Sequence, residues 1–341
     1  MGRYPYTTIQ PEGRTIHKSS CYLQWVERIL DPGPVTFLTV DVEDYYHVLP
    51  DTETQFRPGS TPTNLADNLE RLLDVFAQRQ LRGTFFVLAS VAPRIRQVLR
   101  RALAEGHEIA SHGFGHRYLV TSSPTAFRND LMQSLDRLQQ LTGTAIASFR
   151  APAFTITEQT LWALEILREA GIRFDSSVAP TSNYLYGIPQ APWRPHRLKN
   201  GLVEVPMSVT RFLGLRFMLG GGFYLRLYPA WLHRFLFRQR GTEWNRVLYL
   251  HPWEMDPPHL NPWDQGFADP HRGLADLLPR IISVFNRRQV LEKFMDLLAE
   301  GPDPVLAIRD LDRWLPQAPL FDGHDSHPGM NVARRWWNET E

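Results

Sequence analysis

The chain has 341 residues, a formal net charge of +1 and 43% hydrophobic residues. That is enough apolar material for one large α/β domain or two smaller ones, and the near-balance of charge removes any electrostatic case for binding nucleic acid or an anionic membrane surface. A single cysteine, Cys21, excludes an internal disulfide framework and a multi-cysteine zinc site, while the lack of an apolar run of about 18 residues or a leader-like N-terminus predicts no transmembrane segment and a cytoplasmic location.

Residues 1–34 read as a polar N-terminal arm. Val35 to Val40 follows the Pro32-Gly33-Pro34 punctuation and is rich in β-branched and aromatic residues, which predicts a strand buried on both faces. It runs straight into Asp41, Glu43 and Asp44. Burying three unpaired carboxylates would be prohibitive, so compensating charge is expected at this strand end.

A regular alternation comes next. Leu65, Leu69, Leu72, Leu73 and Phe76 fall at helical spacing within Asn64 to Gln80, with Thr63 or Asn64 as N-cap. A strand is predicted over Thr84 to Ala89, then a helix opened by Pro93 and stopped by Gly106, then a strand over His107 to His112. Ser123-Pro124 starts a helix that ends near Gly143, Ala145 to Phe149 is a strand, Thr157 caps a helix ended by Gly171, and Ile172 to Ser176 is a strand. Strands alternating with helices at this interval imply a parallel sheet with right-handed crossovers. Beyond Ser177 the rhythm loosens: strands are expected over Leu202 to Val209 and Arg246 to Leu250, helix over Trp231 to Phe237 and within 274–299 (Leu278, Ile281, Ile282 and Phe285 at core spacing), and a last strand over Pro304 to Ile308. The tail from Pro316 reads as a loosely packed appendage.

The chemistry-bearing residues sit where this alternation ends its strands. Asp41, His112, Arg150, Asp175 and His251 each lie at or just past a predicted strand's C-terminal end, the ends that share one face of a parallel α/β barrel and carry its active site. His112 and His116 bracket Gly-Phe-Gly. Two imidazoles after one strand and a carboxylate from a neighbouring one make a three-ligand site with open positions for water and substrate, the arrangement of a catalytic divalent metal. Tyr45, Tyr46, Trp193 and Trp253 are candidates to stack on sugar rings, with packing under loops as the competing reading.

The series TVDVED (39–44), HGFGH (112–116), FRAPAF (149–154), FDSS (174–177) and YLHP (249–252) resembles the five ordered motifs of the polysaccharide deacetylase family, the NodB-homology carbohydrate esterases. The DVED opening, LGGGFYLRLYP (219–229) and HPWEMDP (251–257) are similar to its exopolysaccharide-locus branch, which carries a C-terminal extension. The resemblance implies a distorted parallel (β/α) barrel of about seven strands over residues 35–310, with the extension from about 205 and a tail over 311–341. It also implies metal-assisted hydrolysis of N-acetyl groups on a carbohydrate, zinc being the family's usual ion, and an association with polysaccharide-synthesis machinery.

By the same resemblance Asp41 is the general base, His251 the acid that protonates the leaving amine, Arg150 the partner of the base and Asp175 the partner of the acid. The metal would be held by His112, His116 and a carboxylate. The commoner family opening has adjacent aspartates, but Val42 follows Asp41 here, so the ligand is shifted: the spacing of allantoinase-like relatives and the alternation of an extended strand point to Glu43, with Asp44 as its rival. The backbone N–H near Ala153 would meet the oxyanion, and Ala153 stands where the family usually has an aromatic; Tyr45 and Trp253 complete the substrate-binding candidates. Two other functions remain in view, allantoinase-like hydrolysis of a small cyclic amide and a catalytically silent carbohydrate-binding protein.

Overall fold

The computed structural model describes residues 21–48, 63–183, 185–240, 245–256, 287–300 and 304–313. The predicted helical residues Leu278, Ile281, Ile282 and Phe285 and the tail from Pro316 lie outside them. Twelve strands are described: β1 Val26–Ile29, β2 Thr36–Val42, β3 Thr84–Val87, β4 Glu108–Ser111, β5 Ser148–Phe149, β6 Phe174–Asp175, β7 His196–Leu198, β8 Val203–Glu204, β9 Val209–Phe212, β10 Leu215–Met218, β11 Arg246–Leu250 and β12 Val305–Leu306.

The main sheet runs β1-β7-β8-β6-β5-β4-β3-β2-β11, with β12 beside β2. From β8 through β11 every pairing on this path is parallel, which makes seven parallel strands, curled into a half-barrel and flanked by helices. This is the distorted parallel barrel the motifs imply. Every residue of β2 is buried, as expected for a strand covered on both faces. The side of β2 that pairs with β3 from Thr39 onward is occupied at Thr36 and Phe37 by β12.

The helices follow the apolar spacing. α1 (Leu65–Gln78) buries Leu65, Leu69, Leu72, Leu73 and Phe76, with Asn64 at its N-cap position. α2 (Arg96–Ala104) continues a 3-10 turn over Ala92–Ile95. α3 (Pro124–Thr142) is capped by Ser123, whose hydroxyl accepts from the Ala126 N–H at 3.2 Å, and ends at Gly143 in the left-handed conformation with φ 71°. α4 is Trp162–Glu169, α5 Gly222–Leu227, α6 Ala230–Arg240 and α7 Val290–Ala299. No described helix is long and apolar enough to cross a membrane.

Two expectations are corrected. The lead-in is not all arm: Tyr22 is fully buried with its hydroxyl donating to His196 Nε2 at 2.7 Å, and β1 pairs antiparallel with β7. The signal is weak because β1 is a four-residue edge strand that presents Glu27 and Arg28 partly to solvent. The single strand expected over Leu202 to Val209 is instead β8, a break, and the hairpin β9–β10. Pro206 stands at the break, where it has no N–H to give a ladder.

Register then assembles a rim. Val40 pairs with Leu250, so Asp41 and His251 leave neighbouring strands side by side. Ser111 pairs with Phe149, which does the same for His112 and Arg150.

Candidate active site

Asp41 and Glu43 are two residues apart at the extended end of β2, and both turn into the rim, with 2% side-chain exposure each. Asp44 turns the other way. Its carboxylate accepts from Arg94 at 3.1 Å, and Arg94 also reaches the Tyr46 hydroxyl at 2.8 Å. Burial pushes the Asp44 carboxyl up to about 6, with Arg94 opposing that shift and Asp256 adding to it. The structure thus brings Glu43, and not Asp44, to the two histidines.

Glu43, His112 and His116 present one donor atom each, all within 4.8 Å of one another. Glu43 Oε2 lies 2.7 Å from His116 Nε2 and 3.9 Å from His112 Nε2. His112 Nδ1 is 2.9 Å from the Arg150 carbonyl, a pure acceptor, so Nδ1 carries the proton and Nε2 offers its lone pair to the cluster. Burial raises the cost of a charged Glu43, yet His116, then His251 and His112, hold its carboxyl well below the usual carboxylate range. Burial lowers His112 to about 4, so this ring is neutral near pH 7. Glu43 Oε2 is buried and makes no hydrogen bond of acceptable geometry despite its close neighbours. An orphaned anionic oxygen facing an imidazole lone pair is the donor arrangement of a divalent cation with open positions, and an N, N, O set suits a borderline ion such as zinc.

Arg150 is fully buried and its guanidinium has a partner on every nitrogen. Nη1 donates to Asp41 Oδ1 at 2.7 Å and to Thr39 Oγ1 at 2.9 Å, Nε to the Ser176 carbonyl at 3.0 Å, and Nη2 to Ser176 Oγ at 2.9 Å. The plane lies over Phe86 at 4.2 Å. This grip fixes Asp41 Oδ1 and leaves Oδ2 turned toward His251, 3.9 Å from its Nε2. The partnership expected of Arg150 is present as a buried ion pair.

The partnership expected of Asp175 is not. Asp175 accepts from Ser177 Oγ at 2.5 Å and lies opposite Glu204 in the β6–β8 register, with β5, β4, β3 and β2 between its strand and β11. Burial pushes it up to about 6, and Glu204, raised further by burial and by Asp175, keeps its proton. The carboxylate beside His251 is Glu254, which the motif reading did not single out. Glu254 Oε2 is 3.2 Å from His251 Nδ1 and accepts the His251 backbone N–H at 3.0 Å, while Oε1 accepts from Arg226 Nε at 2.7 Å. Burial alone would lower His251, but Glu254, Glu43 and Asp41 outweigh it and push the imidazole up to about 9. The signal for Glu254 was the three-residue spacing after a strand-end histidine, which a 3-10 turn over Pro252–Met255 folds back onto the ring.

Two substrate-binding candidates are also corrected. Tyr45 is 1% exposed and Trp253 2%, and they form a small buried cluster with Tyr46. Trp253 stacks on His251 at 5.4 Å and donates its indole N–H to Glu43 Oε1 at 3.2 Å. Its ring supports the site and offers a sugar no open face. Ala153 is half-buried, in the left-handed conformation (φ 51°) within the Pro152–Phe154 turn that follows Arg150. A non-glycine residue held there is strained backbone of the kind concentrated at functional sites.

Buried acids, paired imidazoles and a clamped arginine thus meet on the C-terminal rim of a parallel half-barrel, the face on which such folds carry their active sites. Residues 55–174 match the polysaccharide deacetylase family, and residues 176–301 match a family described as Domain of unknown function (DUF3473). The chain therefore carries a polysaccharide deacetylase domain of the NodB-homology class, followed by a DUF3473 domain. It is 31% identical over 96 residues to a peptidoglycan-N-acetylglucosamine deacetylase of Bacillus cereus, covering 28% of this chain and 35% of that protein. It is 29% identical over 91 residues to a chitooligosaccharide deacetylase of Bradyrhizobium sp., covering 26% and 42%. The matched stretch thus spans less than half of either relative. The crystal structure of a candidate polysaccharide deacetylase from Mycobacterium smegmatis superposes with a TM-score of 0.54 at 20% identity, covering 85% of this chain and 96% of that one, a likeness of fold.

Proposed function

We propose that this protein is a divalent-cation-dependent deacetylase that hydrolyses N-acetyl groups on sugar units of an exopolysaccharide or its precursor, acting in the cytoplasm beside the polymer-synthesis machinery. The observation that carries the reading is the convergence of Glu43, His112 and His116 next to an Arg150-clamped Asp41 and opposite His251. The relatives named as peptidoglycan and chitooligosaccharide deacetylases support the substrate class.

In this reading Glu43, His112 and His116 hold the cation. When bound, it supplies Lewis-acid polarisation of the acetyl carbonyl and lowers the pKa of a water, and zinc fits the donor set. Asp41, oriented by Arg150, takes the proton of the attacking water. The Ala153 backbone N–H steadies the developing oxyanion. His251, raised to about 9 and so charged at neutral pH, passes its Nε2 proton to the departing amine as the C–N bond breaks, giving acetate and the free amino sugar.

The test is acetate release from an N-acetylglucosamine oligomer by protein stripped with a chelator and then titrated with zinc. Acetate release that disappears on stripping and returns with zinc is expected. Undiminished release after exhaustive chelation would overturn the cation requirement, and turnover of a small cyclic amide without any acetate release would overturn the substrate class.

A further inference from the structure

We infer that Glu254, held by Arg226, is the positioning residue for His251, so that the domain of unknown function supplies the acid half of the active site together with its support. The inference deepens the deacetylase reading and rests on it for the role of His251. Its geometry stands independently.

Three contacts bind the unit together. The Pro252–Met255 turn carries Glu254 back over the residue that starts it, and one carboxylate oxygen meets both the His251 backbone N–H (3.0 Å) and Nδ1 (3.2 Å). The other oxygen receives Arg226 Nε at 2.7 Å. Glu254 is 0% and Arg226 2% exposed, so water does not compete for these bonds. A carboxylate at Nδ1 requires a proton there, which turns Nε2 toward Asp41 Oδ2 (3.9 Å) and Glu43 Oε1 (3.7 Å), where a reacting group would sit. Trp253, stacked on the His251 ring at an interplanar angle of 27°, opposes its rotation.

Arg226 is itself located by a close backbone approach. It lies on α5, which begins immediately after Gly221, and Gly221 forms a parallel bridge to Tyr249 on the strand that ends at His251. A Cβ at Gly221 would fall 1.5 Å from the Tyr249 carbonyl oxygen, so only glycine lets α5 seat against β11. The other carboxylates near His251, Asp41 and Glu43, face Nε2, and Asp175 is engaged with Ser177 and Glu204. All of His251, Glu254, Arg226 and Gly221 fall within the DUF3473 match at 176–301.

The experiment compares two substrates of the zinc-loaded full chain. An N-acetylglucosamine oligomer must protonate its leaving amine, whereas 4-nitrophenyl acetate releases an aryloxide that needs no proton. Glu254→Gln is expected to lower kcat on the oligomer by about 10²- to 10⁴-fold, the range of general acid catalysis, with KM and the aryl ester rate changed by less than about threefold. Glu254→Asp and Arg226→Lys should retain part of the oligomer activity. Equal losses on both substrates would mark a merely structural role and overturn the inference.

A second readout uses cation-free wild-type protein and needs no turnover. Imidazole ¹⁵N-edited NMR should show a downfield, slowly exchanging Nδ1 proton on His251. An Nδ1 lacking that proton would overturn the positioning role whether or not the protein proves to be a deacetylase, and whether or not the Gln variant folds. Absence of acetate release by wild type, with the Nδ1 proton present, would instead remove the deacetylase reading and leave the positioning geometry standing.

Discussion

Arg150→Met tests the centre of the structure. The substitution keeps much of the apolar stem but deletes a guanidinium that is 0% exposed and makes four hydrogen bonds, including the 2.7 Å ion pair to Asp41. What remains is a buried Asp41 with no cation on Oδ1, and a Ser176 carbonyl and hydroxyl that have lost their donors. Breaking a buried pair from one side costs about 3–5 kcal/mol, most of it the desolvation of the stranded charge. Urea titration of the cation-free protein is expected to give a loss of that size at unchanged m-value. Asp41→Asn in the same background should recover part of it, because the stranded charge is gone, and a double-mutant cycle measures the coupling. A loss below about 1 kcal/mol, or a double variant no more stable than Arg150→Met alone, would refute the argument that Arg150 compensates Asp41.

Two further outcomes follow from the site. Glu43→Gln should weaken zinc binding, measured by calorimetry, by more than about a hundredfold, while Asp44→Asn changes it little, since Asp44 faces Arg94; the reverse order would exchange their roles. In cation-free protein the Glu254 carboxyl is held down to about 2 by His251 and Arg226 against the cost of burial, so its contribution to stability is lost as pH falls from about 4.5 toward 2. His251 is raised to about 9, so its contribution is complete below about 6.5 and is lost as pH rises toward 9. Stability followed by denaturant at stepped pH should therefore decline on both sides of that window, and Glu254→Gln should flatten both limbs; a profile identical to wild type would count against the pair.

The rim was legible because its residues terminate buried strands. Asp41, His112, Arg150 and His251 each follow a short apolar run, and parallel register does the rest. The alternation of an extended chain also points to Glu43 over Asp44. What stayed hidden depends on contacts between distant segments. Arg226 reaches Glu254 from 28 positions away through a glycine contact that no local pattern announces. Asp175 has the right strand-end position but its neighbour across the sheet is an acid, Glu204, and that pairing appears only once β8 is known to lie beside β6. Tyr45 and Trp253 have the right residue type for sugar stacking, and only their burial removes them.

The pairing of β2 with β11 brings together the first and the last of the seven parallel strands. Asp41 and Glu43 precede the deacetylase match that begins at residue 55, His112, His116 and Arg150 lie inside it, and His251 and Glu254 belong to the segment beyond 176. A fragment cut at the boundary between the two matches would keep Asp41 with Arg150 but lose His251, and the complementary fragment would keep His251 with Glu254 but lose Asp41 and Glu43. The β2–β11 pairing is therefore what lets residues from opposite sides of that boundary share one electrostatic balance.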